Sequence, residues 1–173
     1  MKTVKQQGFT LIELIIVIVI LGILAVTAAP RFLNLQGDAN ASVIQGVAGA
    51  MNSGKDIVYG KAIIAGVQAT ASSAVDADGD GTDDITTAFG YPTADAAGIV
   101  EALEIDLTNF SVTTLAGPPA VYIIGASGSA APAAVVASNG TGGETNDGCY
   151  VAYTAATDAN TPATVTVNTD DCN

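Results

Sequence analysis

The sequence holds no histidine and no tryptophan, and beyond Lys61 it holds no basic residue. Without histidine the chain lacks the usual proton shuttle and the commonest transition-metal ligand, so catalysis starts from a poor position. The five basic residues, Lys2, Lys5, Arg31, Lys55 and Lys61, stand against seventeen acids, fourteen of which lie in the last 112 residues. A surface that acidic repels phosphate backbones, which argues against direct nucleic-acid binding. It suits an exported, soluble face. Charged residues make up only 13% of the chain against 49% hydrophobic. That is apolar for a soluble protein, and the excess sits near the N-terminus. The remainder is rich in Ala, Gly, Thr, Ser and Val, which suits a thin sheet with many turns.

Cysteine is also scarce. Cys149 and Cys172 are the whole complement, and in an exported chain such a pair reads most simply as a disulfide. The loop it closes is worth roughly 3 kcal/mol by the chain-entropy estimate.

The first eight residues, Met1 to Gly8, are polar and carry Lys2 and Lys5. Phe9 to Ala29 is then almost continuously apolar. The stretch 11–29 would span about 28 Å as a helix, close to the thickness of a hydrocarbon core. The preceding lysines favour a cytoplasmic leader. Glu13 interrupts the apolar run near its start, where an ionised carboxylate costs about 2.5–3.5 kcal/mol at mid-membrane and less near an interface. A disposable signal peptide has no use for that cost; a helix that must find a cationic partner does. The competing reading is a signal peptide cut near Ala28, since Val26-Thr27-Ala28 passes the small-residue test. It fits poorly with the length of the run, the embedded acid and Pro30 close behind.

Gly8-Phe9-Thr10-Leu11-Ile12-Glu13, with lysines before it and an apolar helix after it, resembles the prepilin signal of type IV pilins and their secretion-system relatives. The resemblance implies cleavage between Gly8 and Phe9 by prepilin peptidase on the cytoplasmic side, N-methylation of Phe9, and retention of the apolar helix. It also implies that Glu13 pairs with a mature N-terminal amine. The α-amine titrates near pH 8 in water, and a carboxylate in low dielectric favours its charged form. Each charge then offsets the other's desolvation, so a correctly registered neighbour is preferred over a slipped one.

Gly22 and Pro30 break the helical pattern. Proline removes a donor and clashes with the preceding turn, predicting a kink or local melting; the resemblance implies an unwound segment between the two in assembled filaments. From about Phe32 to about Val67 apolar residues recur at three- and four-residue steps, predicting an amphipathic helix. Its glycines, 46, 49, 54, 60 and 66, weaken it by about 1 kcal/mol each. They are expected to let a sheet approach closely. The segment 30–36, with Asp38-Ala39 and 57–62, is most similar to the major subunit of mannose-sensitive haemagglutinin (MSHA) pili.

The run 76–84, Asp-Ala-Asp-Gly-Asp-Gly-Thr-Asp-Asp, matches the first part of an EF-hand calcium loop: aspartates at positions 1, 3 and 5, glycine at 6, an acid at 9. Thr87 stands where the closing Glu would be. The expectation is a single non-EF aspartate loop, with Asp76, Asp78, Asp80, Thr82 and Asp84 as candidate calcium ligands. Its competitor is a solvated acidic turn.

A short helix is predicted over 95–103 with Thr93 as its cap. Strands are predicted over 110–115, 121–124, 134–137, 149–155 and 163–167, separated by turns at 117–119 and 139–148. The fold class is therefore α+β: a long N-terminal helix, half apolar and half amphipathic, against a small antiparallel sheet, shaped like the pilin lollipop. The expected organisation is a leader over 1–8, a membrane and polymerisation helix over 9–30, and a head over 31–173. The head contains an αβ-loop over about 68–108 and a disulfide-bounded region over 149–172. The resemblance implies that this region lies on the filament's outer face, with Tyr150, Tyr153 and Asp158 as candidates for contacts there; the competing role for tyrosines in strands is packing.

The function implied by the resemblance is a structural subunit of a type IV pilus of a Gram-negative bacterium. It would reside in the inner membrane as a precursor, then join a helical homo-oligomer outside the cell through an assembly platform. Attachment to a surface glycan or an abiotic surface, and biofilm formation, follow from the same resemblance. A minor pilin or type II secretion pseudopilin is the alternative within the superfamily. A secreted calcium-dependent carbohydrate-binding module is the alternative outside it. No nucleophile–base pair supports an enzyme.

Overall fold

A computed structural model describes residues 8–127, 148–169 and 172, with 29–34 described as backbone only. The leader 1–7, the strand predicted over 134–137 and most of the loop predicted over 139–148 lie outside the described residues.

One helix, α1 (Leu11–Ala65), carries the molecule. It ends where Gly66 adopts the left-handed conformation, φ 73°, with the Gly66 and Val67 N–H groups donating back to the Ile63 and Ala62 carbonyls. The helix is backbone-continuous through Gly22 and Pro30. The kink or melting predicted at Pro30 does not break the helix in the isolated chain. The unwinding implied between Gly22 and Pro30 concerns the assembled filament.

Two antiparallel sheets follow. The first has three short strands, β1 (Ser73–Val75), β2 (Ile85–Ala88) and β3 (Tyr91–Pro92), in sequence order. A π-helical turn over Ala96–Val100 then leads into the short helix α2 (Glu101–Leu103). Here the predicted cap is corrected. Asp95, not Thr93, caps the turn by accepting from the Gly98 N–H at 2.9 Å, and Thr93 supports it by donating its hydroxyl to the same carboxylate. The second sheet is a four-stranded meander of β4 (Ser111–Leu115), β5 (Val121–Gly125), β6 (Tyr150–Thr154) and β7 (Thr164–Asn168).

The period of two along the central strands divides their side chains. Tyr122 and Ile124 on β5, with Val151 and Tyr153 on β6, turn towards α1 and join Ile44, Val47, Ala48 and Met51 in the main core. Val121, Ile123, Tyr150 and Ala152 form a separate buried cluster. Each fully buried aliphatic side chain here contributes about 1.5–3 kcal/mol. A third cluster, Val58, Ala62, Val75 and Ile85, seats the first sheet on the upper part of α1. Close approach by glycine holds at one place on the helix: a Cβ on Gly54 would lie 2.8 Å from the Ala102 carbonyl oxygen of α2. Gly46, Gly49 and Gly60 meet nothing within 4 Å, so the predicted role of those glycines in admitting a sheet is corrected.

The Cys149–Cys172 disulfide is formed. Both cysteines are buried, and Asn40 on α1 donates its amide to the Cys172 carbonyl at 3.0 Å. The chain end is thereby tied to the stem as well as to the sheet.

Candidate processing and assembly site, and an acidic loop

The N-terminal site is built by a reciprocal cap. Thr10 is extended at the N-cap of α1 (φ -79°, ψ 151°) and its hydroxyl accepts from the Glu13 N–H at 3.4 Å. The Glu13 carboxylate reaches back, accepting from the Thr10 N–H and from the Thr10 hydroxyl, both at 2.8 Å. Threonine followed three residues later by glutamate, ahead of an apolar run, is the capping-box signature, legible in the sequence but absent from the expectations drawn from it. The carboxylate is thus aimed at the start of the helix, one residue from the Phe9 backbone. The positive end of the helix dipole favours an anion there as well. Gly8 and Phe9 are exposed, Phe9 at 95%.

Leu11–Ala28 is long and apolar enough to cross a membrane, and none of it is buried against the rest of the protein. Its exposed face runs from Leu11 to Val26 without relief. An isolated helix of this kind is stable only in lipid or packed against like helices.

Residues 4–29 match the family described as Prokaryotic N-terminal methylation motif. The chain carries a type IV pilin-like N-terminus. Over 49 residues it is 51% identical to the type IV narrow pilus major component PilA5 of Thermus thermophilus, which covers 28% of this chain. The matched region spans 42% of that relative's length. Neither match is to an enzyme. No solved structure matches the chain.

The acidic run predicted as a metal loop forms the long connection between β1 and β2, closed where the Asp84 N–H donates to the Val75 carbonyl. Inside it, Asp76 accepts from the N–H groups of Gly79 (2.6 Å) and Gly81 (2.9 Å). Asp78 accepts from Asp80 N–H at 3.0 Å, and Asp80 from Thr82 N–H at 2.7 Å. One carboxylate oxygen from each of Asp76, Asp78, Asp80 and Asp84 lies within 4.8 Å of the others. That cluster could hold a metal ion. The Gly79 and Gly81 amides hold the Asp76 carboxyl below its ordinary range, helped by the Lys61 ammonium on α1. Asp84 is pushed up, first by partial desolvation and then by the carboxylates of Asp78, Asp80 and Asp76. Of the five candidate ligands, Asp76, Asp78, Asp80 and Asp84 lie in one cluster, and Thr82 takes part through its amide, which donates to Asp80.

Two of the residues expected to face outward do not. Tyr150 and Tyr153 are buried, at 3% and 0% exposure, because β6 is a central strand. The Tyr153 hydroxyl donates to the Pro92 carbonyl at 2.7 Å, linking the two sheets. Asp158 is exposed, in the turn between β6 and β7, where it accepts from Asn160 N–H and the Thr161 hydroxyl.

Proposed function

We propose that the chain is the precursor of a major structural subunit of a type IV pilus. In this reading prepilin peptidase cuts between Gly8 and Phe9 and methylates the new amine of Phe9. The helix 9–30 then holds the subunit in the inner membrane until an assembly platform adds it to a helical filament of identical copies outside the cell. Glu13 pairs with a Phe9 amine, its own or a neighbour's, and Gly22 and Pro30 bound the segment that unwinds on assembly.

The observation that carries the proposal is the placement of Glu13. It is an acid within an otherwise apolar span, inside the residues that match the methylation motif, with its carboxylate turned towards the residue that processing would make the N-terminus. An ammonium at that point offsets the desolvation of the carboxylate, and the carboxylate offsets that of the ammonium. The role of the Thermus thermophilus relative as a major pilus component supports an abundant rather than a minor subunit. The resemblance of 30–36, with 38–39 and 57–62, to the major subunit of MSHA pili is the ground for proposing a Gram-negative host, and adhesion to a glycan or abiotic surface with biofilm formation.

Mass spectrometry of protein sheared from the cell surface tests this. A chain starting at N-methylated Phe9, as the main protein band of the filaments, is the expected result. A start near Ala29 would instead identify a secreted module, and a correctly processed chain found only in trace would identify a minor pilin or pseudopilin.

Calcium at the acidic loop belongs to the same proposal, as a structural ion held by Asp76, Asp78, Asp80, Thr82 and Asp84. Four carboxylates this close repel one another, and a hard divalent cation takes six to eight oxygen ligands. Calorimetry on the detergent-solubilised chain should show saturable uptake that is lost in Asp78→Asn/Asp80→Asn. A flat trace for the unaltered chain would remove calcium from the account.

A further inference from the structure

All five tyrosines of the chain lie among the described residues. Tyr122, Tyr150 and Tyr153 are buried, at 6%, 3% and 0% exposure. The remaining two, Tyr59 on α1 and Tyr91 on β3, are partly exposed and stack on each other, with ring centroids 4.4 Å apart and planes 10° from parallel. The stack is held by backbone. Gly90 adopts a left-handed φ of 82°, and a Cβ there would meet the Gln68 Cα at 2.9 Å and the Tyr59 ring at 3.1 Å.

Surface oxidation of a protein is ordinarily shared among methionine, free cysteine, tryptophan, histidine and tyrosine. Here tryptophan and histidine are absent, both cysteines are in the disulfide, and Met51 is fully buried. Among the described residues, Tyr59 and Tyr91 are therefore the readily oxidised side chains that solvent can reach. A radical formed on either ring already has its coupling partner in van der Waals contact.

We propose that Tyr59 and Tyr91 are an oxidative modification site, joined by a haem-peroxidase-type oxidant and hydrogen peroxide into an intrachain dityrosine that staples β3 to α1. Each phenol gives up one electron and its O–H proton. The two radicals join through ring carbons ortho to oxygen, and the displaced ring hydrogens return to the oxygens. The chain loses two hydrogen atoms in all, and one peroxide becomes two waters. This inference does not depend on the pilus reading.

The test treats the full chain in detergent micelles with a haem peroxidase and hydrogen peroxide, alongside free tyrosine as a reaction control. Because no basic residue follows Lys61, trypsin separates the peptide 56–61, which carries Tyr59, from a single fragment 62–173, which carries Tyr91. The expected product shows dityrosine fluorescence and runs as a monomer on a denaturing gel. After trypsin it contains 56–61 covalently bound to 62–173. Tyr59→Phe and Tyr91→Phe, which keep both rings, should each abolish it. Three results would overturn the proposal: cross-linked dimers in place of the monomeric product, persistence in either variant, or no coupling while free tyrosine couples.

Discussion

At the level of single residues, Thr10 and Glu13 satisfy one another in the isolated chain, so the carboxylate is already partnered before any second subunit arrives. The proposed amine of Phe9 competes for the same oxygens with a full charge, which makes a stronger hydrogen bond than a neutral hydroxyl. Thr10→Val should therefore cost the helix start about 1 kcal/mol while leaving filament yield close to that of the unaltered protein, measured by shearing and quantifying surface filaments. A collapse in yield would show that the cap, not the amine, is what Glu13 serves. Tyr153 offers a second residue-scale prediction. Burial, and secondarily Tyr91, pushes its phenol far above the ordinary range, so it stays a donor to Pro92 throughout the neutral pH range. Tyr153→Phe leaves that carbonyl unpaired in the core and should lower stability by about 1–3 kcal/mol, read from the urea midpoint. The shift should be the same at pH 6 and pH 8, around the neutral point.

At the level of elements, the glycines of α1 separate into two kinds. Gly54→Ala pushes a methyl against the Ala102 carbonyl, and overpacking of this sort costs about 1–3 kcal/mol. Gly46→Ala faces open space and should instead raise stability by up to about 1 kcal/mol through helix propensity alone. Thermal melts of the two variants moving in opposite directions would confirm the assignment; the same direction would refute it. The sequence could not divide them, because periodicity tells which face a residue is on and not what stands opposite. Strands β4 to β7 were legible to within a residue or so, since runs such as Val121–Gly125 and Thr164–Asn168 are β-branched and bounded by turn formers. The three-stranded sheet was not. Its strands span three, four and two residues, too short for a period of two to show, and the acidic run between the first two carries a ligand pattern and no strand signal. Thr93 and Asp95 are both good caps, and only the local backbone decides between them. Tyr150 and Tyr153 were candidates for contacts only through the outer-face position that the family resemblance implies for the disulfide-bounded region; both faces of β6 are covered, so the competing packing role of strand tyrosines holds.

At the level of the whole molecule, the disulfide and the Asn40 contact fasten the chain end to both sheet and stem. Cys149→Ser/Cys172→Ser should lower stability by roughly 3 kcal/mol, checked by denaturant unfolding of the solubilised chain. The N-terminal methylation motif was legible because it is a local string recognised by spacing alone; the reciprocal cap that Thr10 and Glu13 form within it was missed. The acidic cluster was legible for the same reason. The Tyr59–Tyr91 stack was not, because it joins residues distant in sequence through a turn at Gly90. In the proposed assembly, the carboxylate at the start of an unburied apolar helix holds copies of that helix in register by finding an ammonium at Phe9. The most direct measurement is the amount of filament on cells carrying Glu13→Gln, which keeps the shape of the side chain and removes its charge. Subunits should still be cut and inserted, but filaments should be lost or reduced to a small fraction. Filaments at the full amount would contradict it.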